Sequence, residues 1–142
     1  MIKKMNQNKI SLKELNALNK GTMMEWMQLE YLEAETGYVK AKMPVNHRTI
    51  QPMGILHGGA SIALAETVAG LGSTLMVDNK IFNVKGAQLS VNHIGSATEG
   101  FVIAQANLIH EGKNTHVWNV DIADENGKPI SICRITNFII KK

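Results

Sequence analysis

Along residues 38–45 apolar and polar side chains alternate, with Val39, Ala41, Met43 and Val45 on one side and Tyr38, Lys40 and Lys42 on the other. That two-residue period predicts a half-buried β-strand. "ETG" at 35–37 predicts the turn that leads into it from an earlier strand over about 28–34. Later in the chain the alternation returns. Ala87, Leu89, Val91 and His93 share one face, as do Val102, Ala104, Ala106 and Leu108, then His116, Trp118, Val120 and Ile122. A largely apolar strand near 130–140 follows. The turns between are well marked: "ATEG" at 97–100, "HEGKN" at 110–114 and "DENGKP" at 124–129, the last containing Asn-Gly.

Residues 55–77, "ILHGGASIALAETVAGLGSTLMV", break this pattern. Their apolar side chains (Ile62, Leu64, Val68, Leu71, Leu75) point all round a helix, and Ala60, Ala63, Ala65, Ala69 and Gly70 permit close approach. A helix apolar on every side is one that is enclosed. Two short helices are predicted ahead of the first strand. "SLKE" at 11–14 is a capping box, with Leu12, Leu15 and Leu18 on one side, and "TMME" at 22–25 repeats the signature after Gly21. Met23, Met24 and Met27 are expected in the core. These elements predict an α+β fold, an antiparallel sheet of about six strands wrapped around one long central helix. One domain over 1–142 is expected, with short helices in 1–27 and the core in 28–142.

Glu66 is the one charged residue of that helix. Ile62 and Ala63 precede it at helical spacing and Ala69 and Gly70 follow, so no polar stripe runs past it, and no Lys or Arg lies within a turn or two. A desolvated, unpaired carboxylate costs several kcal/mol or raises its pKa. Such a cost fits a nucleophile or general base. "HGG" at 57–59 stands where loop becomes helix. Bare N–H groups at a helix start favour negative charge and can hold an oxyanion, an interaction worth roughly 3 kcal/mol. Gly59 and Glu66 are seven residues apart, about 10 Å along one helix. Both cannot serve the same carbonyl, so the two groups act together only if one chain's glycine meets another chain's glutamate. A two-fold dimer with antiparallel helices is therefore expected.

Composition narrows the class. With 44% hydrophobic and 19% charged residues, the 142-residue chain is of the globular kind. Residues 1–20 hold five lysines against Glu14, a net of +4, so the other 122 residues sum to −1 of the total +3. Aromatic residues are 5% and no basic stripe recurs, which argues against a nucleic-acid partner. Cys133 is alone, leaving no internal disulfide or CxxC site. The five histidines have no HExxH-like spacing, so no metal is expected. "MIKKMNQNKI" lacks a signal peptide's apolar run, and no stretch reaches the roughly 18 apolar residues of a membrane span. A cytoplasmic protein without membrane association is expected.

The run from "NHRTIQPMGILHGGASIALAET" through "GAQLSVNHIGSA" to "HVWNVDIADENGKPISICRIT" resembles the hotdog-fold acyl-CoA thioesterases. The branch is that of the Arthrobacter-type 4-hydroxybenzoyl-CoA, phenylacetate-pathway, 1,4-dihydroxy-2-naphthoyl-CoA and enterobactin-proofreading thioesterases. The resemblance implies hydrolysis of an aromatic acyl-CoA to free acid and CoA. It makes Glu66 the carboxylate that attacks the thioester or activates water, and the Gly59 N–H the oxyanion donor. Gln51 matches an amide near the thioester, and His57 a residue positioning thioester and water. His93 lines the acyl or pantetheine passage. Lys113, and more loosely Lys85, would hold the nucleotide phosphates. The family's sites span a homodimer interface, and homotetramers are common; CoA enters as part of the substrate and no separate cofactor is implied. Gly70 departs from relatives that place Ser or Thr one turn after the glutamate. From the residues alone simpler roles stay open: His57 bracing a turn, Gln51 capping a loop, His93 and His116 in the core, both lysines solvated. Two other activities also stay open, a hotdog acyl-CoA hydratase or dehydratase and a non-catalytic acyl-CoA-binding protein.

Overall fold

A computed structural model describes residues 10–142; Lys3, Lys4 and Lys9 of the basic N-terminal segment lie outside the described residues. The elements are α1 (Leu12–Ala17), α2 (Met23–Trp26), β1 (Glu30–Glu35), β2 (Tyr38–Pro44), α3 (Gly58–Met76), β3 (Phe82–His93), β4 (Phe101–Glu111), β5 (Thr115–Asp124) and β6 (Pro129–Lys141).

Ser11 and Glu14 form the complete capping box, the serine Oγ accepting the Glu14 N–H and the carboxylate accepting the Ser11 N–H. Only Leu15 of α1 is buried; Leu12, at the first helical position, and Leu18, the C-cap, are exposed. Asn16 does what the leucines do not: its Oδ1 accepts the Tyr31 N–H and its Nδ2 donates to the Tyr31 carbonyl, tying α1 to edge strand β1. At α2, Thr22 accepts the Met24 N–H, while Glu25 reaches past the cap to the Gly21 N–H. Met27 is buried and Met24 half-buried, but Met23 is exposed, contrary to its expected core position.

The six strands form one sheet in the order β1-β2-β4-β5-β6-β3, every neighbouring pair antiparallel. The turns join β1 to β2, β4 to β5 and β5 to β6. α3 instead carries the chain across the sheet, so that β3 lands on the far edge beside β6. Inward residues are Val39, Ala41 and Met43 on β2, Val102, Ala104 and Ala106 on β4, and Trp118, Val120 and Ile122 on β5, all buried. α3 lies on this face against β2 to β6. Its buried positions are Ser61, Leu64, Ala65, Val68, Ala69, Gly72 and Ser73, a stripe at spacings of three and four. Gly72 is required there: a β-carbon would collide with the Trp118 ring, 2.7 Å from Cζ2. Trp118 Nε1 donates to Ser73 Oγ at 2.8 Å, and Asn137 Nδ2 donates to the same oxygen at 3.0 Å.

The sheet therefore covers one side of α3, not all of it. Residues 59 and 66 are exposed, and positions 60, 63, 67 and 70 are only half-covered. Met24 on α2 approaches the far side, its sulfur 2.9 Å from the Thr67 hydroxyl. β3 shares this openness. It is a twelve-residue edge strand on which no residue is buried.

Candidate active site

The loop between β2 and α3 is held by its own polar groups. Thr49, buried, donates its hydroxyl to the Pro44 carbonyl and accepts the Asn46 N–H. Arg48 stacks over the Trp26 ring at 5.1 Å, joining the loop to α2. Gln51 folds back so that its Oε1 accepts the Met53 N–H, and Gly54, at φ +78°, closes the turn with its N–H on the Gln51 carbonyl. Gln51 thus caps its loop through the side-chain oxygen.

His57 is the N-cap of α3, with its backbone N–H on the Thr49 carbonyl and its own carbonyl receiving the Ala60 N–H. Its ring bears on the expected oxyanion donor. Nδ1 accepts the Gly59 N–H at 2.7 Å, so within this chain that N–H already has a partner. An N-cap side chain ordinarily takes such an orphan donor, and a histidine followed by two glycines does so here.

His93 ends β3 facing inward, its Nδ1 2.8 Å from Ser131 Oγ on β6. The opposite edge of the ring lies on Gly58, where a β-carbon would come within 2.7 Å of Nε2. Gln51, Gly58, Ser61, His93, Ile94 and Ile130 contribute to the lining of a cavity of about 370 Å³ at the start of α3. Sequence positions 51, 58 and 93, far apart in the chain, are therefore brought together.

Glu66 lies elsewhere. Two turns down α3 it is exposed, which corrects the expectation of burial: the sheet closes over the other face of the helix and leaves Glu66 open. Among the described residues neither ion pair, Lys40–Glu33 nor Lys42–Glu30, involves it. Its carboxylate rests on β3, with Oε1 in the space that a β-carbon on Gly86 would need. Three candidate side chains are thus seated on glycines: His57 on Gly59, His93 on Gly58 and Glu66 on Gly86. At Gly70 no atom lies within 4 Å of the position a β-carbon would take, so the space one turn beyond Glu66 is open.

Lys85 and Lys113 are both exposed and both far from the cavity. Lys85 pairs with Phe138 on the outer sheet face, and Phe138 pairs with Thr115, two residues beyond Lys113. The two lysines share one end of the sheet. His93 stands at the other, eight residues along β3 from Lys85, or roughly 26 Å.

Sequence reasoning missed Ser131, Gly58 and Gly86. For Ser131 a signal existed: it shares the inward face of β6 with Cys133 and Ile135, where a polar residue needs a partner. The two glycines gave none, since nothing local tells that a distant side chain will lie across them.

A family model described as the thioesterase superfamily matches residues 53–131. The chain is 35% identical to the 1,4-dihydroxy-2-naphthoyl-CoA hydrolase of Escherichia coli strain K12, over 94% of this chain and 98% of that one. It superimposes on a Pseudomonas aeruginosa thioesterase, solved as a glutamine-to-alanine variant, with a TM-score of 0.92 and 34% identity, covering 96% of this chain and 98% of that one. A Staphylococcus aureus thioesterase gives a TM-score of 0.81 at 41% identity, over 82% of this chain and 96% of that one. An edge-bounded antiparallel sheet carrying one long helix, with likeness over nearly the whole length, leads to one conclusion: the chain belongs to the hotdog-fold thioesterase superfamily and is a thioester-hydrolysing enzyme.

Proposed function

We propose that this enzyme hydrolyses an aromatic acyl-CoA to the free acid and CoA, with Glu66 as nucleophile or general base. The observation that carries this reading is the place of Glu66. It is a carboxylate without a cation partner among the described residues, laid over a glycine of an open edge strand, on the uncovered face of the central helix. The acid and the helix start stand about 10 Å apart along α3, too far to share one carbonyl. A second copy pairing along β3, its helix antiparallel, sets its glutamate beside this chain's helix start and buries both open surfaces. The same pairing brings the lysine end of one copy beside the His93 end of the other. There Lys113 and Lys85 would meet the phosphates of a CoA whose thioester lies at Gly59.

In this scheme the carbonyl oxygen takes the Gly59 N–H from His57 as it gains negative charge. The freed ring then orients thioester and water, and the Gln51 amide nitrogen, which its loop contact leaves free to donate, holds the thioester. CoA enters as substrate and the residues call for no other cofactor. The E. coli relative is named for a naphthoyl-CoA substrate, which supports an aromatic acyl group. The S. aureus thioesterase was solved with a glutamine and with a glutamate replaced by alanine, fifteen residues apart, the spacing of Gln51 and Glu66.

The test is thiol release from benzoyl-, phenylacetyl- and naphthoyl-type CoA esters. Glu66→Ala and Glu66→Gln are expected to lower kcat by at least about a hundred-fold, the low end for loss of an acid–base group. Unchanged turnover in both refutes the role. Mixing inactive Glu66→Ala with inactive Gln51→Ala is expected to restore about a quarter of wild-type activity, because half the dimers then hold one intact site of two. No restoration refutes a site shared between copies.

A further inference from the structure

We infer that Ser131 is a positioning residue that holds the His93 ring with Nε2 toward the substrate, an inference that rests on the hydrolase reading above. The two residues face each other across the β3–β6 ladder, with Oγ and Nδ1 2.8 Å apart. Ser131 is 1% exposed, so its hydroxyl is held in place behind a His93 residue that is itself exposed. In front of the ring, the backbone of Gly58 leaves just enough room for Nε2. The imidazole is gripped from behind by a hydroxyl and from the front by a bare backbone, and its edge borders the cavity that Gln51 and Ser61 also line.

The chemistry of the pair explains why a serine suits this place. A hydroxyl donates and accepts, so it can donate to an unprotonated Nδ1 or accept from a protonated one. His93 therefore keeps its anchor in either tautomer, presenting Nε2 as a donor in one and as an acceptor in the other. A carboxylate behind the ring would favour the charged form, and an apolar residue would leave Nδ1 unpaired and the ring free to turn. Among the described residues no Asp, Glu, Lys or Arg lines the cavity. The Ser131 hydroxyl is the one side-chain hydrogen-bond partner of the ring among the described residues.

The experiment is a double-mutant cycle in kcat/KM on the best CoA ester of the panel, using Ser131→Ala, His93→Ala, both together, and Ser131→Thr. Ser131→Ala is expected to lose about ten-fold, or about 1.4 kcal/mol, in kcat/KM. His93→Ala is expected to lose at least as much, and the double variant no more than His93→Ala alone, because Ser131 acts through His93. Ser131→Thr, which keeps the hydroxyl, is expected to stay within about three-fold of wild type. Near-ultraviolet circular dichroism verifies that each variant is folded. A wild-type rate in Ser131→Ala, or losses that add in the double variant, overturns the positioning role. If these appear beside an inactive Glu66→Ala, the hydrolase reading stands and only this inference falls. Full activity in Glu66→Ala overturns the reading itself. Calorimetric binding of a non-hydrolysable benzoyl-CoA thioether runs the same cycle without turnover, and additive weakening there also overturns the inference.

Discussion

Gly70 and Gly72 are one residue apart on α3, yet replacing each with alanine is expected to move stability in opposite directions. Alanine gains about 1 kcal/mol over glycine inside a helix. At Gly70 nothing in the single chain lies within 4 Å of the new methyl, so that gain is kept in the folding of the chain itself. At Gly72 the methyl would stand 2.7 Å from Trp118 Cζ2 and closer still to Cη2, whereas carbons pack at about 3.5–4.0 Å. Trp118 is fully buried and has no free direction in which to move by an ångström or more. Overpacking of this kind costs about 1–3 kcal/mol. Displacing the ring also breaks the 2.8 Å bond from Nε1 to Ser73, leaving a buried donor unpaired for about 1–3 kcal/mol more. Set against the helix gain, Gly72→Ala should lose about 3 kcal/mol and Gly70→Ala should gain about 1. Urea unfolding followed by far-ultraviolet circular dichroism, repeated at two protein concentrations to separate assembly from folding, measures both. A Gly72→Ala midpoint at or above wild type would refute the packing argument.

Two further outcomes follow from buried groups. His116 is 3% exposed, its Nδ1 has no hydrogen-bond partner among the described residues, and burial holds its pKa below the ordinary 6.5, with His110 acting the same way and Glu111 opposing. Above that pH both folded and unfolded forms are neutral; as pH falls below it the unfolded chain gains a proton that the folded one refuses, so stability declines toward the depressed folded value. His116→Gln should flatten this decline between pH 7 and 5, a slope of at most about 1.4 kcal/mol per unit for one group, and an unchanged slope would count against the assignment. Cys133 is buried, and desolvation, then the negative charge of Asp121, push its thiol up to about 11. Ellman's reagent at pH 8 should label it only after unfolding in guanidinium, and labelling of the native protein within minutes would contradict that burial.

The strands were legible because each inward face is read locally, residue by alternate residue, and the Asn-Gly turn at 126–127 marks its own position. Strand order was not. Hairpin signals place neighbours, but β3 follows a long crossover and pairs with β6 at the far edge, with α3 laid across the inner face of the sheet. Glu66 shows the second limit. An apolar circumference does not tell which side of a helix the sheet covers, so the acid expected to be enclosed is open in this chain. The link from His93 to Ser131 shows a third: it joins residues 38 apart through strand register, and periodicity carries no register between strands.

The glycines under the three candidate groups have an evolutionary consequence. A single methyl at 58, 59 or 86 meets the side chain of His93, His57 or Glu66 and not the main chain, so under the proposed mechanism it evicts a catalytic group while the scaffold persists. Loss of turnover is thereby uncoupled from loss of architecture. Descendants that retain a ligand without cleaving it lie one codon change away, whereas at Gly72 the same change endangers the molecule itself.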